Sequence, residues 1–428
     1  QIEISLILDI SGSMNSNNRL KNLKPAAKSF VDQIFDSTEP GKVSISIIPY
    51  ATQVAMSNDL TSYFNITNEH GYSNCVEFES SKGDFNTTAV SLDKSSGARV
   101  YQRNGHFDPF YKASPPTLTN CAAATNRQIL PFSGNRSQLK TYIDNLTAEG
   151  NTSIDIGLKW GAALLDPSMQ PVVTGMIGSG KLPGAAAGRP FAFDDSDALK
   201  IIVLMTDGEN TTEYRLRNNT TSTPYYDEGQ SLLVRNPYYR TNGTTSDDWS
   251  INQYSLYDGT KKQYYIFAQG IWRTEAWGDG STKTTTCDKW GKCTTTTTKD
   301  PGYVSSPTSV PMTWQDVWHD MSVFYFSDNI IYGAYGSSTT RNQWRPSNVN
   351  AKATTYIDST KDTITLNMCS AAKAQGIRLY TIAFEAPTGG QQLLSACQNA
   401  GYYAVEGLSI NDAFSGIVNS INKLRLTH

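Results

Sequence analysis

The chain is short of charge, of histidine and of long apolar runs, and each shortage excludes something. Only 18% of its 428 residues are charged, and 36 basic against 39 acidic side chains leave a formal net charge of −3. With no long basic run either, neither a nucleic-acid groove nor a polybasic membrane patch is expected. The longest apolar stretches, Ile4 to Ile10, Val43 to Ile48 and Ile201 to Met205, fall far short of the ~20 residues of a membrane-spanning helix, and no stretch reads as a signal peptide. The four histidines, His70, His106, His319 and His428, show no metal spacing, and no Gly-x-Ser-x-Gly elbow frames a serine. They read as loop or surface residues, and a Ser-His-Asp hydrolase lacks its parts.

The cysteines are few but informative. Cys75, Cys121, Cys287, Cys293, Cys369 and Cys397 fit neither a Cys-x-x-Cys pair nor a zinc pattern. An even number spread over a Tyr-, Asn- and Thr-rich chain points to disulfides in an oxidising, extracytoplasmic compartment. By position the simplest pairing is 75 with 121, 287 with 293 and 369 with 397, one of the many that six cysteines allow. The opening QIEISLILDI already reads as a buried strand. The chain is therefore expected to start in mid-fold, with any membrane anchor or export segment upstream of Gln1.

What is present is α/β alternation interrupted by polar blocks. Ile2 to Asp9 and Lys42 to Pro49 are strand-like, and between them Leu20, Leu23, Ala27, Phe30, Val31 and Ile34 recur at helical spacing. Further helices are predicted over Arg136 to Leu146, Ser153 to Leu165 (with Asn151 and Thr152 as capping candidates), Asn367 to Gln375, Gln391 to Asn399 and Ile410 to Leu424. Strands are predicted over Lys200 to Met205, Arg378 to Phe384 and Tyr402 to Ala404. Such alternation argues for a parallel sheet with helices on both faces. The core comprises 1–58, 127–212 and 363–428. The insertions are 59–126, expected to contain a disulfide, a Gly-, Pro- and Ala-rich excursion at 167–196, and 213–362. The last carries seven of the eight tryptophans and hairpin-favouring Asn-Gly and Asp-Gly pairs, and reads as an irregular β-rich lobe. Trp249, Trp272, Trp277, Trp290, Trp314 and Trp318 are candidates for a partner-binding surface, or else the lobe's own core.

The sharpest motif is Asp9-Ile10-Ser11-Gly12-Ser13 at the carboxyl end of a buried strand, where open α/β sheets bind ligands. A carboxylate and two hydroxyls on alternate positions of a tight loop offer hard oxygens to Mg²⁺, Mn²⁺ or Ca²⁺. Thr152, at a helix head, and Asp207, ending the strand KIIVLM, supply two more. The competing reading is a capped turn, with Ser11 or Ser13 as the cap.

This set, DxSxS, then a loop Thr, then TDG, resembles the metal-ion-dependent adhesion site (MIDAS) of von Willebrand factor type A domains, which are doubly wound, Rossmann-like α/β folds. The resemblance implies one divalent cation, Mg²⁺ first, held directly by Ser11, Ser13 and Thr152 and through water by Asp9 and Asp207. A sixth position would await a carboxylate from a protein partner or surface ligand. The flanks SIIPY (46–50), LMTDGENTT (204–212), CSAAKAQGIRLYTIAF (369–384) and LLSAC (393–397) resemble TadG-type proteins, components of bacterial tight-adherence (Flp) pilus systems. That implies a binding protein of the periplasm or cell surface, a minor pilin or pilus-assembly subunit among other such subunits, and a Cys369 to Cys397 disulfide. Two alternatives stand: a structural pilus-tip or assembly-priming subunit whose metal only stabilises the fold, and, more remotely, a metal-dependent hydrolase using Glu209 as base.

Two weaker motifs complete the reading. Gly175 to Lys181 begins like a phosphate-binding loop, but Leu182 replaces the hydroxyl residue and Pro183 follows where a helix should start. Asp194, Asp195 and Asp197 read as a solvated loop in preference to a second Ca²⁺ site.

Overall fold

The computed structural model describes residues 1–112, 119–216, 229–235, 249–276, 281–299, 309–345, 353–356 and 358–427. The chain divides into two compact units. Gln1–Asn104, Thr119–Glu213 and Thr355–His428 form the first, and Gly105–Leu118 with Tyr214–Thr354 the second.

The first unit is mixed α/β. Strands β1 (Ile2–Asp9), β2 (Val43–Tyr50), β3 (Leu130–Ser133), β4 (Leu199–Thr206), β5 (Arg378–Phe384) and β6 (Gly401–Val405) lie in the order β6-β5-β4-β1-β2-β3. All neighbours are parallel except β3, which runs antiparallel to β2. β1 is buried along its whole length, and its side chains alternate between two cores as a strand's period of two requires. Leu6 and Leu8 meet α1 (Arg19–Asp36), α2 (Arg136–Asp144) and α6 (Ile410–Thr427) through Phe30, Ile143 and Phe414. On the other face Ile7 meets α3 (Ile154–Ala163), α4 (Asp358–Ala374) and α5 (Thr388–Cys397) through Trp160, Met368 and Leu394. Burial on both faces explains why these strands read as predominantly apolar runs.

Several elements differ from the sequence expectation. The excursion at 167–196 contains a helix, Gln170–Gly178, that buries Val172, Val173 and Met176. Pro171 sits in its first turn, where a missing N–H costs nothing. The near-match to a phosphate loop falls on this helix and its end. α4 begins at Asp358, well before Asn367, because Ile364 continues the buried face of Met368 and Ala372. Neither Asn151 nor Thr152 caps α3. Ser153 holds the N-cap position, and the Asn210 side chain accepts the Ile154 N–H at 2.8 Å. Residues 59–104 and 119–126 belong to the first unit: Phe78 packs edge-on against Trp160 at 5.4 Å and against Tyr101 at 5.7 Å. His70 there is buried, with Nε2 2.9 Å from the Asn104 carbonyl, so it is no surface histidine. Three disulfides form, Cys75–Cys121, Cys287–Cys293 and Cys369–Cys397, the last joining α4 to α5.

The second unit has an antiparallel five-stranded sheet in the order Ile271–Arg273, Gln263–Ile266, Tyr254–Asp258, Gln230–Arg235, Val310–Thr313. A Thr-rich hairpin, Ser281–Cys287 with Cys293–Lys299, is closed by its disulfide. The lobe is not only β: residues 314–344 are largely helical, opening at Trp314 with a Thr313/Asp316 capping box. Its apolar periodicity is carried by aromatics, which hid it in the sequence. Trp314 and Trp318 are buried and stacked at 5.5 Å, so both serve this unit's core and not a binding surface. Trp249 and Trp272 pack on the same core. Trp290, at the hairpin tip, is 80% exposed, and Trp277 lies outside the described residues. Among the described residues no helix is long and apolar enough to cross a membrane.

One buried charge in the first unit has a measurable signature. Lys159 on α3 is 1% exposed and donates to the carbonyls of Thr87 (2.7 Å) and Ala89 (2.8 Å), so it pins the 59–104 segment to the helix. Burial lowers its pKa to about 8, partly opposed by Asp84 and Asp166. Between there and the ordinary lysine value of about 10.4 the unfolded chain holds more protons, so stability must rise with pH. Urea unfolding at pH 8 and pH 10 should show this rise in the parent protein, by about 2 kcal/mol relative to Lys159→Met.

Candidate metal centre

The site is set by strand register. β1 and β4 are parallel with Leu8 opposite Met205, so both strands end together and deliver Asp9, Thr206 and Asp207 to one edge of the sheet. Asp9 is fully buried. Its Oδ1 accepts the Ser11 N–H at 2.8 Å, and its Oδ2 accepts the Thr206 hydroxyl at 2.6 Å. The Ser11 N–H bond folds the chain back into the short turn Gly12–Asn15. Ser11 occupies the N-cap position of that turn, but its side chain makes no cap hydrogen bond, which removes the capped-turn reading for Ser11. Ser11 Oγ instead lies 3.0 Å from Ser13 Oγ, and Ser13 Oγ donates to Asp207 Oδ1 at 2.8 Å.

The third segment is bonded to the first two. The Gly12 N–H donates to the Gly150 carbonyl at 2.8 Å, and the Glu149 N–H to the Ile10 carbonyl at 2.8 Å. Gly150 adopts φ +93° with the Thr52 hydroxyl close by, a conformation that favours glycine. Thr152 is buried, exchanging bonds with Thr211: its N–H donates to Thr211 Oγ1 (3.0 Å) and its carbonyl accepts the Thr211 N–H (2.9 Å). Its Oγ1 faces Gly208, where an added Cβ would stand 3.6 Å away. The structure therefore links Asp9, Ser11, Ser13 and Asp207 through hydrogen bonds and sets Thr152 beside the Asp207 turn.

The donor set suits a hard divalent cation. Adjacent ligands of an octahedral ion with bonds of ~2.1 Å stand ~3.0 Å apart. The Ser11–Ser13 oxygen separation, 3.0 Å, matches that edge, and Asp207, 2.8 Å from Ser13 Oγ, stands where a carboxylate acting through water would. Among the described residues no three His, Cys, Asp or Glu side chains cluster as a metal site; the present set fits because three of its five donors are hydroxyls. Burial first, and then the neighbouring Asp207, raise the Asp9 pKa well above the ordinary carboxylate range. Asp207 is also raised by burial, against the lowering effect of Ser13 and Arg19. Two carboxylates in a dry site repel, and a cation between them relieves that repulsion.

Sequence reasoning missed the supporting residues, which come from other segments. Asn210 caps α3 and donates to Asp362 Oδ1 (2.8 Å) and Thr365 Oγ1 (3.2 Å) on α4. Lys361 is fully buried and donates to Ser153 Oγ (2.6 Å) and the Thr211 carbonyl (3.1 Å), with Asp155 and Glu213 at 3.7 and 3.9 Å. Arg19 donates through Nη1 to Asp207 Oδ2 at 2.8 Å. Only Asn210, inside the quoted TDGEN run, carried a local signal. Glu209 is exposed, with its carboxylate against Gly389 at the head of α5. The Asp194 to Asp197 loop closes on itself, Asp195 Oδ1 accepting the Asp197 N–H at 2.9 Å. A larger cleft of about 830 Å³, near the amino end of β2, includes none of the candidate residues.

Gly390 tests the construction of the site. A Cβ there would come within 2.1 Å of the Gly208 carbonyl oxygen. Since backbone cannot swing aside like a side-chain tip, Gly390→Ala should displace the Asp207–Gly208 turn and cost about 1–3 kcal/mol in a urea melt. An unchanged melt would mean that the helix and turn are not in contact.

No family model matches this sequence, and no curated protein matches it. Among solved structures, the fold is similar to the pilus adhesin SpaC of Lactobacillus rhamnosus GG (12% identity, TM-score 0.33, 99% of this chain and 30% of that one). It is also similar to the vWF domain of the type V pili tip protein Mfa5 of Porphyromonas gingivalis (12%, 0.37, 99% and 95%). A third is the adhesive tip pilin GBS104 of Group B Streptococcus agalactiae (11%, 0.32, 98% and 99%). The chain thus spans under a third of SpaC. At these identities and scores the likenesses carry no argument about function.

Proposed function

We propose that this chain is a metal-dependent binding protein: a divalent cation, Mg²⁺ in the first instance, sits among Ser11, Ser13, Thr152, Asp9 and Asp207 and receives a carboxylate from a protein partner or surface ligand. The observation that carries the reading is the oxygen cluster itself, three hydroxyls and two buried carboxylates from three distant segments, with the two serine hydroxyls at the separation of an octahedral edge. When bound, the ion supplies a positive charge with room for an acidic group. Asp9 and Asp207 keep that charge in place, and the hydroxyls add no negative charge of their own, so an anionic ligand is still attracted.

The sequence resemblance extends the reading to a von Willebrand A-type domain of a TadG-like minor pilin or pilus-assembly subunit, active in surface attachment and outside the cytoplasm. The three disulfides support that compartment. Adhesion is favoured over a purely structural ion because the three loops already bond to one another through Gly12–Gly150, Thr152–Thr211 and Ser13–Asp207. An ion is not needed to hold them together. A hydrolytic role has little support, since Glu209 leans on α5.

Calorimetric titration of metal-free protein with Mg²⁺, Mn²⁺ and Ca²⁺ tests the reading. One saturable site is expected, weakened at least about tenfold in Asp207→Ala, a loss of roughly 1.4 kcal/mol or more. Absence of binding in the parent protein would refute it. A chelator-induced fall in melting temperature without any effect on carboxylate binding would favour the structural alternative.

A further inference from the structure

Beside the ion site lies an arginine that metal binding alone does not call for. Arg19, the first residue of α1, reaches back over the Ser13 turn. Its Nη1 donates to Asp207 Oδ2 at 2.8 Å and to the Ser13 carbonyl at 3.4 Å, and its Nε donates to Glu385 Oε2 at 2.8 Å. Among the described residues its Nη2 makes no hydrogen bond. Asp207 thus faces two ways, Oδ1 toward Ser13 and the ion position, Oδ2 toward the guanidinium. Arg19 and the ion would stand on opposite sides of one carboxylate.

The backbone around this guanidinium is held in unusual conformations. Glu385, just past the end of β5, has φ +54°, and Asn17 and Asn18, just before α1, have φ +52° and +57°. Asparagine tolerates the left-handed region, whereas glutamate adopts it only under strain. Glu385 is pinned there: its Oε1 accepts the Gly407 N–H at 3.1 Å and its Oε2 accepts the Asn17 side chain at 3.3 Å. Strain of this kind persists where surrounding structure enforces it, and it concentrates at ligand clamps and switches. A cavity of about 640 Å³ opens at the same place, walled by Arg19, Glu385, Gln391, Glu406 and Ser409.

We propose that Arg19 is a second anchor for the acidic ligand, and that Glu385 stands in for the ligand's carboxylate while the site is empty. This rests on the ion-site reading above and names its ligand class: an acidic segment presenting two neighbouring carboxylates, one for the ion and one for Arg19. Guanidinium suits the task because its planar fork takes carboxylates in paired hydrogen bonds. The exchange trades like for like, because one Arg–carboxylate pair replaces another. Glu406 on the cavity wall repels free anions, so the second carboxylate must arrive on a ligand already tethered at the ion.

The test uses Mn²⁺ alone, then acetate and glutarate as one- and two-carboxylate probes of the Mn²⁺-loaded protein. Calorimetry follows each titration, with each probe's own affinity for Mn²⁺ subtracted from a protein-free run. Glutarate should bind at least about tenfold tighter than acetate. Arg19→Gln should still bind Mn²⁺, which also reports an intact fold, but lose the glutarate advantage; Glu385→Gln should strengthen glutarate binding several-fold. Equal binding of the two probes by the parent protein, or an undiminished advantage in Arg19→Gln, overturns the proposal while leaving the ion site standing. Failure of Mn²⁺ to bind the parent protein overturns the ion-site reading and this inference with it.

Discussion

Two carboxylates brought together at the end of a buried sheet are the constraint around which the rest of the first unit is arranged. Asp9 and Asp207 lie at the ends of adjacent parallel strands because Leu8 and Met205 are in register, and both are withdrawn from water. Charges so placed repel each other and lack hydration, so the surrounding segments have to supply compensating donors. The Ser11 N–H, the Thr206 hydroxyl, the Ser13 hydroxyl and the Arg19 guanidinium all do this. The geometry of the loops at this end of the sheet follows from satisfying these two groups.

That arrangement extends outward through a second layer of buried polar contacts. Asn210 joins the Asp207 loop to the heads of α3 and α4, and Lys361 joins α4 to Ser153 and Thr211. The Gln53 side chain donates to Glu213 where the chain leaves this unit. A buried network of this sort is costly if any member is left unpaired, so it fixes one arrangement of the loops. The close approach of Gly390 to the Gly208 carbonyl does the same by shape. The long segment between Glu213 and Asp358 carries its own core of Trp314, Trp318 and Phe326.

The sequence by itself determined the alternation of strands and helices in the first unit, because burial on both faces of a parallel sheet writes itself as apolar runs such as Ile201 to Met205. It also pointed to the five candidate ligands, since Asp9, Ser11 and Ser13 share one loop, Thr152 stands at a helix head and Asp207 ends a strand. What it left open has a common cause. The helix at 170–178 was masked by proline and glycine, the start of α4 by Asp362, Thr363 and Thr365, and the helices of 314–344 by aromatics in place of aliphatics. Only the tertiary structure decided that Asn210 caps α3, that Arg19 pairs with both Asp207 and Glu385, and that Trp314 is core. Those contacts join residues from about 56 to 366 positions apart, and the pairing of polar groups across such separations is fixed by packing geometry that no local pattern of residue types encodes.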